Sequence, residues 1–137
     1  MFRLIYKSKS LVEIDQETVK DIIQQSQKMN KKDKISGALL ATRAHFFQVL
    51  EGDFEAVNRT FFRIVTDPRH EKIQLIWFGP MHKRLFEGWV MKGFGLFDLN
   101  LELEKHLIDK YGEEDGGIKF PIEEWSSLSL MHDIKLV

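Results

Sequence analysis

The stretch His45-Phe46-Phe47-Gln48-Val49-Leu50-Glu51-Gly52-Asp53 constrains this chain more than any other. Two aromatics, a β-branched residue and a leucine ahead of a Gly-Asp turn read as a strand. Side chains alternate across a strand, so Phe46, Gln48 and Leu50 share one face and Phe47 and Val49 the other. Both faces are apolar except at Gln48. The sheet must therefore be covered on both sides, and one amide lies among hydrophobes. A buried glutamine has two donors and an acceptor to satisfy, and leaving it unpaired costs roughly 1–3 kcal/mol. Either Gln48 bonds a neighbouring backbone or sits at a sheet edge, or a polar ligand lies against this face. The strand alone leaves both open.

At 137 residues the chain suits one domain with a real core. Its 43% apolar and 30% charged residues are those of an ordinary globule. A net charge of −1 offers no field for nucleic acid or acidic lipid. The lack of cysteine excludes disulfides, thiolate catalysis and Cys-ligated metal. The five histidines show no HxxxH or HExxH spacing, so no metal site is expected. No apolar run approaches the roughly 20 residues of a membrane span, and Met1 to Ser10 is too short and polar for a signal peptide. A cytoplasmic protein without membrane or nucleic-acid partners is expected.

Around the central strand the elements alternate. Phe2 to Ser8 reads as a first strand with Phe2, Leu4 and Tyr6 on one face. Tyr6 is a core ring with its hydroxyl at the rim, or a redox or hydrogen-bonding group. Asp15 can cap a helix reaching about Met29, with Glu17 in its first turn. Val19, Ile22 and Ile23 mark the buried stripe, and its continuation brings Ser26 and Asn30 inward. Asn30 is either a left-handed C-terminal cap or an amide facing the same ligand as Gln48. Ile35 to Ala41 forms a hairpin with the central strand, and Gly37 allows a close neighbour. Asp53 can cap a second helix with the stripe Phe54, Val57, Phe61, Ile64 and Val65, ended by Asp67-Pro68. Arg69 and His70 follow, with no nucleophile nearby to make an acid–base site. Ile73 to Phe78 is a fourth strand and Phe86 to about Phe94 a fifth, with Trp89 and Met91 sharing one of its faces.

The order βαββαββ, with two right-handed crossovers on one antiparallel sheet, predicts an α+β ferredoxin-like sandwich. Residues 1–97 form this core. Residues 98–137 are expected to cover the other sheet face with two helices. Leu99 to Tyr111 presents Leu103, Leu107 and Tyr111. An acidic glycine-rich loop spans Glu113 to Gly117. A last helix opens near Pro121 and carries Ile122, Trp125 and Leu128. His132 to Val137 stays unassigned.

Several pieces together resemble the BLUF domain, the blue-light sensor that uses flavin. They are Leu4-Ile5-Tyr6-Lys7-Ser8, Ser26 to Asn30 with Ile35-Ser36-Gly37, Phe46 to Gly52, Asp67-Pro68-Arg69-His70, and Arg84 to Met91. Ser36 stands where the family usually has threonine, which keeps a hydroxyl. The resemblance runs from Phe2 to about Phe94 and implies a flavin ring held between the first two helices. It implies that Tyr6 is the photochemical electron and proton donor, and that Gln48 bridges Tyr6 to the ring and switches. It places Asn30 at the O4/N3 edge, Arg69 and His70 near O2, and Ile22 and Ser26 along the ring face. Arg63 would reach the ribityl or phosphate portion, and Trp89 and Met91 would be the pair that exchanges places near Gln48 or relays its state.

FAD is the family's usual cofactor. Without a Gly-rich phosphate loop, FMN and riboflavin are also accommodated. The short, single-domain class signals through self-association or a separate effector or regulator protein, so a homo-oligomer and such a partner are expected, and no enzyme activity. The fifth strand would pass the change to the tail helices, so truncation after Phe97 would spare the spectral shift and abolish regulation. The rivals are a light-insensitive interaction module of the same fold and a small acylphosphatase-like enzyme, which would need a phosphate-cradling loop.

Overall fold

The computed structural model describes residues 1–135. Five strands form the main sheet: β1 (Phe2–Ser10), β2 (Ser36–Ala41), β3 (His45–Gly52), β4 (His70–Pro80) and β5 (Lys92–Gly95). Their order is β4-β1-β3-β2-β5. Neighbours run antiparallel except β2 and β5, which are parallel. Helix α1 (Gln16–Asp33) joins β1 to β2 and helix α2 (Phe54–Val65) joins β3 to β4, the two crossovers of a ferredoxin-like sandwich. After a single 3-10 turn come α3 (Leu101–Tyr111), a short hairpin of β6 (Glu113–Glu114) and β7 (Gly117–Ile118), and α4 (Glu124–Lys135).

Strand β3 is central and buried along nearly its whole length. Its alternation divides the core as the sequence requires. Phe46 and Leu50 join Leu4, Tyr6 and Leu39 beneath Val19 of α1 and Val57 of α2. Phe47 and Val49 join Ile5 and Leu40 against Leu107, Phe120, Leu130 and Ile134 of the C-terminal extension. The Phe47 and Phe120 rings stack with centroids 5.0 Å apart. Gly37 lies where β2 meets β3 so closely that a Cβ would sit 1.9 Å from the Val49 carbonyl oxygen; no larger residue fits.

Local chemistry explains most boundaries. The Asp15 carboxylate accepts from Thr18 N–H at 2.8 Å and starts α1. The helix runs past Met29 to Asp33, where Lys34 adopts the left-handed cap at φ 55°. Asn30 therefore lies inside the helix, and the alternative of Asn30 as left-handed cap is set aside. Asp53 stands at the N-terminus of α2 without a side-chain capping bond. On α2 the inward residues are Ala56, Val57 and Thr60, whereas Phe54 and Val65 are exposed.

Three expectations need correction. The fifth strand begins only at Lys92, because the backbone from Leu85 to Trp89 bonds elsewhere: Leu85 and Phe86 N–H donate to the Glu51 carboxylate, and Trp89 C=O accepts from Gly37 N–H. Glu113 to Gly117 belongs to a hairpin whose turn residues Asp115 and Gly116 both have positive φ. Helix α4 starts at Glu124, and its buried residues are Ser127, Leu130, Met131 and Ile134, leaving Ile122 and Trp125 exposed. Of the unassigned tail, residues 132–135 continue α4, and 136–137 lie outside the described residues.

Candidate functional site

On the helix-covered face, Tyr6 of β1 pairs in register with Gln48 of β3, and Gln48 with Leu39 of β2. The three side chains stand side by side on one face. The Tyr6 hydroxyl donates to Gln48 Oε1 at 2.5 Å, and Gln48 Nε2 donates to Met91 Sδ at 3.4 Å. A thioether is a weak acceptor. The amide thus keeps donor capacity while buried to 4% exposure. The residue is neither at a sheet edge nor bonded to backbone, so that alternative for Gln48 is set aside.

Two adjoining clefts open above this line, with cavity volumes of about 80 and 200 Å³. They share Ser26, Gln48, Ile64, Asp67 and Arg69, so they form one continuous trough between α1 and α2. Ile22 of α1 and Ile64 of α2 give apolar walls, and Tyr6, Ser26, Gln48, Asn30 and Arg63 give polar groups. Asn30 is buried, and its Nδ2 donates to Val90 C=O at 3.3 Å. Its side-chain oxygen and second amide hydrogen are the groups it can offer a ligand.

The charges sit at one end. Arg69 Nε donates to Asp67 Oδ1 at 3.0 Å. That hydrogen bond holds the Asp67 carboxyl below its ordinary value despite partial burial. Burial pushes the Tyr6 phenol well up; the Asp67 charge adds to this and Arg69 opposes it. Tyr6 therefore stays a neutral hydrogen-bond donor. His70 opens β4 with Nε2 2.8 Å from Ile64 C=O and Nδ1 2.6 Å from Ser8 Oγ. A carbonyl only accepts, so Nε2 carries a proton, and in the neutral ring Nδ1 accepts from Ser8. Both ring nitrogens are engaged within the chain.

Residues 1–92 match the family model of BLUF, sensors of blue-light using FAD. The chain belongs to the BLUF family. It is a blue-light photoreceptor that uses flavin. It is 34% identical over 92 residues to photoactivated adenylate cyclase subunit beta of Euglena longa, a match covering 66% of this chain and 11% of that protein. It is 32% identical over 98 residues to the blue light- and temperature-regulated antirepressor BluF of Escherichia coli K12, covering 72% of this chain and 24% of that one. The chain thus spans about a tenth of the cyclase subunit and a quarter of the antirepressor. The dark-state structure of the BLUF protein BlrB superimposes with a TM-score of 0.78 at 24% identity, covering 98% of this chain and 95% of that one. That likeness shows the fold, including the extension.

Among the residues expected at a BLUF site, Tyr6, Ile22, Ser26, Gln48, Arg69 and His70 line the inner cleft. Asn30 and Arg63 line the outer one. Met91 is buried against Gln48. Trp89 is not brought there. It packs in the opposite core, its ring 5.3 Å from Phe86 and 6.1 Å from Phe94. The two residues lie on opposite sides of the sheet because the segment carrying them is not a strand. Leu39, Phe46, Ile64 and Asp67 also line the inner cleft and were not singled out. Leu39 and Phe46 were findable, since they share the face of Gln48 by alternation. Ile64 was findable on the α2 stripe. Among the described residues no helix is long and apolar enough to cross a membrane.

Proposed function

We propose that this BLUF protein holds FAD non-covalently in the trough between α1 and α2 and senses light through Tyr6, Gln48 and Met91. The observation that supports this is the hydrogen-bonded line from Tyr6 Oη through the Gln48 amide to Met91 Sδ, buried at the trough floor. The residues suit a flavin. Ile22 and Ile64 supply apolar walls, and Ser26, Asn30 and Gln48 supply a mixed donor and acceptor edge. Asn30 contributes its oxygen and its second amide hydrogen, the first being held by Val90. Arg63 would reach the ribityl or phosphate portion and Arg69 the O2 edge, and His70 contributes ring surface rather than a free nitrogen. The same ring contacts serve FMN and riboflavin.

The bound flavin supplies blue-light absorption and, when excited, an electron acceptor. Tyr6 is the donor the chain offers. Its phenolic proton lies on a 2.5 Å bond to Gln48 Oε1, the short path for proton loss when the ring is oxidised. Gln48 can then rotate or tautomerise, exchanging donor and acceptor ends and leaving Met91. Reversal in the dark restores the starting bonds. Trp89 takes no direct part beside Gln48. It belongs to the segment that receives the change.

The output passes from Met91 to residues 85–91 and on to α4. Lys135 Nζ donates to Leu85 C=O at 2.7 Å and lies 5.5 Å from the Trp89 ring centre. The relatives are named as cyclase subunits and an antirepressor, which supports an output to an effector or regulator through self-association or a changed extension surface. The interaction-module and acylphosphatase readings are not favoured, since Arg69 is tied to Asp67 and Asn30 to Val90.

The test is a pair of variants. Gln48→Leu and Tyr6→Phe should each purify with flavin and fail to show the reversible red shift on blue light. A normal shift in either would contradict this reading.

A further inference from the structure

The trough absorbs Tyr6, Gln48 and Asn30 but leaves unexplained a carboxylate on the other side of the same strand. Glu51 is fully buried. Its Oε2 accepts from Arg3 Nε at 3.0 Å, Arg3 Nη2 at 2.9 Å and Leu85 N–H at 3.0 Å, and its Oε1 accepts from Phe86 N–H at 2.9 Å. A buried charge is tolerated only when paired and hydrogen-bonded this fully. Two of those donors are backbone groups of the segment that leads to Met91. Beside them Arg84 Nη1 donates to Ser36 Oγ at 2.7 Å and to Glu51 C=O at 3.2 Å, and Arg84 Nη2 donates to Lys34 C=O at 2.9 Å. At its far end the segment is held by α1, with Gln27 Nε2 on Met91 C=O at 2.9 Å.

We infer that Glu51, supported by Arg3 and Arg84, is a positioning residue for the light switch: it clamps residues 84–86 to β3, and so sets Met91 against Gln48. The physical argument is one of leverage. Gln48 and Glu51 lie three residues apart on one rigid, central strand, on opposite faces. Between Phe86 and Lys92 the segment has no strand ladder, and Gly88 turns it at φ 80°. Its geometry depends on fixed points, and the carboxylate supplies two of them. Releasing these loosens the thioether that favours the dark orientation of the amide. The lit form then loses part of its drive to return. This inference rests on the reading of Gln48 and Met91 as the switch.

The experiment measures dark recovery of the blue-light-shifted flavin spectrum in four proteins: the parent, Glu51→Gln, Met91→Leu and the double variant. Glutamine keeps the size but loses the charge and one acceptor. Glu51→Gln is expected to bind flavin, shift as the parent does, and recover at least threefold more slowly. Met91→Leu is also expected to slow recovery. In the double variant Glu51→Gln should add less than twofold, because its effect runs through Met91.

Recovery within twofold of the parent, faster recovery, or full additivity with Met91→Leu would overturn the clamp. A parent without any red shift, or Met91→Leu recovering like the parent, would instead overturn the underlying switch reading. Should Glu51→Gln fail to fold, Arg84→Gln at a half-exposed position releases the same segment. It should slow recovery at least twofold in the parent and not in Met91→Leu; any other result overturns the proposal. A melting temperature recorded alongside separates this from simple destabilisation, which does not distinguish the two backgrounds.

Discussion

The two faces of the sheet are built from alternate residues of the same strands and have opposite characters. One face buries Tyr6 and Gln48 beneath α1 and α2 and leaves a trough over them. The other packs Ile5, Leu40, Phe47 and Val49 against Leu107, Phe120 and Leu130. Close packing supplies stability, whereas the trough keeps hydrogen-bonding capacity that the chain does not use up. The trough and the close-packed core are thus separated by one residue along a strand, and apolar variants of the packed face should fail differently from variants of the trough.

The sharpest way to break the contrast is to uncover the packed face. Removing residues 98–137 would expose Phe47, Ile5 and Leu40 together. We expect insoluble protein, not the intact photocycle that the sequence alone suggested; a soluble, photoactive product would show that the extension is dispensable for folding. Phe120→Ala is the milder version. Losing a stacked, fully buried ring should cost about 3–5 kcal/mol in urea unfolding, while the protein that remains folded keeps its red shift. On the trough side, Asn30→Ala should leave the fold nearly unchanged and weaken flavin retention about tenfold, the loss of one buried hydrogen bond worth roughly 1.4 kcal/mol. Titration of added flavin checks it.

The smallest effect is on pH. Burial raises the Tyr6 phenol above its ordinary value of 10.0. A group raised in the folded state contributes its full stability below the unfolded value, and loses it as pH climbs toward the folded one. The red shift should therefore be constant between about pH 6 and 9. The parent should lose stability relative to Tyr6→Phe only above pH 10. A shift that titrates near neutrality would assign the donor role to another group.

Much of this division is readable in the sequence alone. Alternation in β3 placed Gln48 opposite Phe47, and the helical stripe carried Ser26 and Asn30 inward, because both periods are local properties of the chain. The segment from Arg84 to Met91 was misread for the complementary reason. Its Trp89-Val90-Met91 alternation looks like a strand, but Glu51 and Gly37 occupy its backbone groups, and those partners lie far away in sequence. The phase of α4 was lost in the same way. Pro121 suggests a start, yet the helix begins at Glu124 and buries Ser127, whose hydroxyl bonds Glu123 C=O at 2.6 Å. Reading β3 as apolar except at Gln48 passes over Glu51, although a charge in the middle of a strand covered on both faces is the signal that could have found it.

The central claim is that the polar face holds a flavin whose surroundings switch with light. An absorption spectrum of the purified protein, taken in the dark, under blue light and after return to darkness, tests it most directly. The account predicts a flavin spectrum that moves reversibly to the red without bleaching. A colourless protein that refuses added flavin, or a bound flavin that bleaches or does not move, would contradict it.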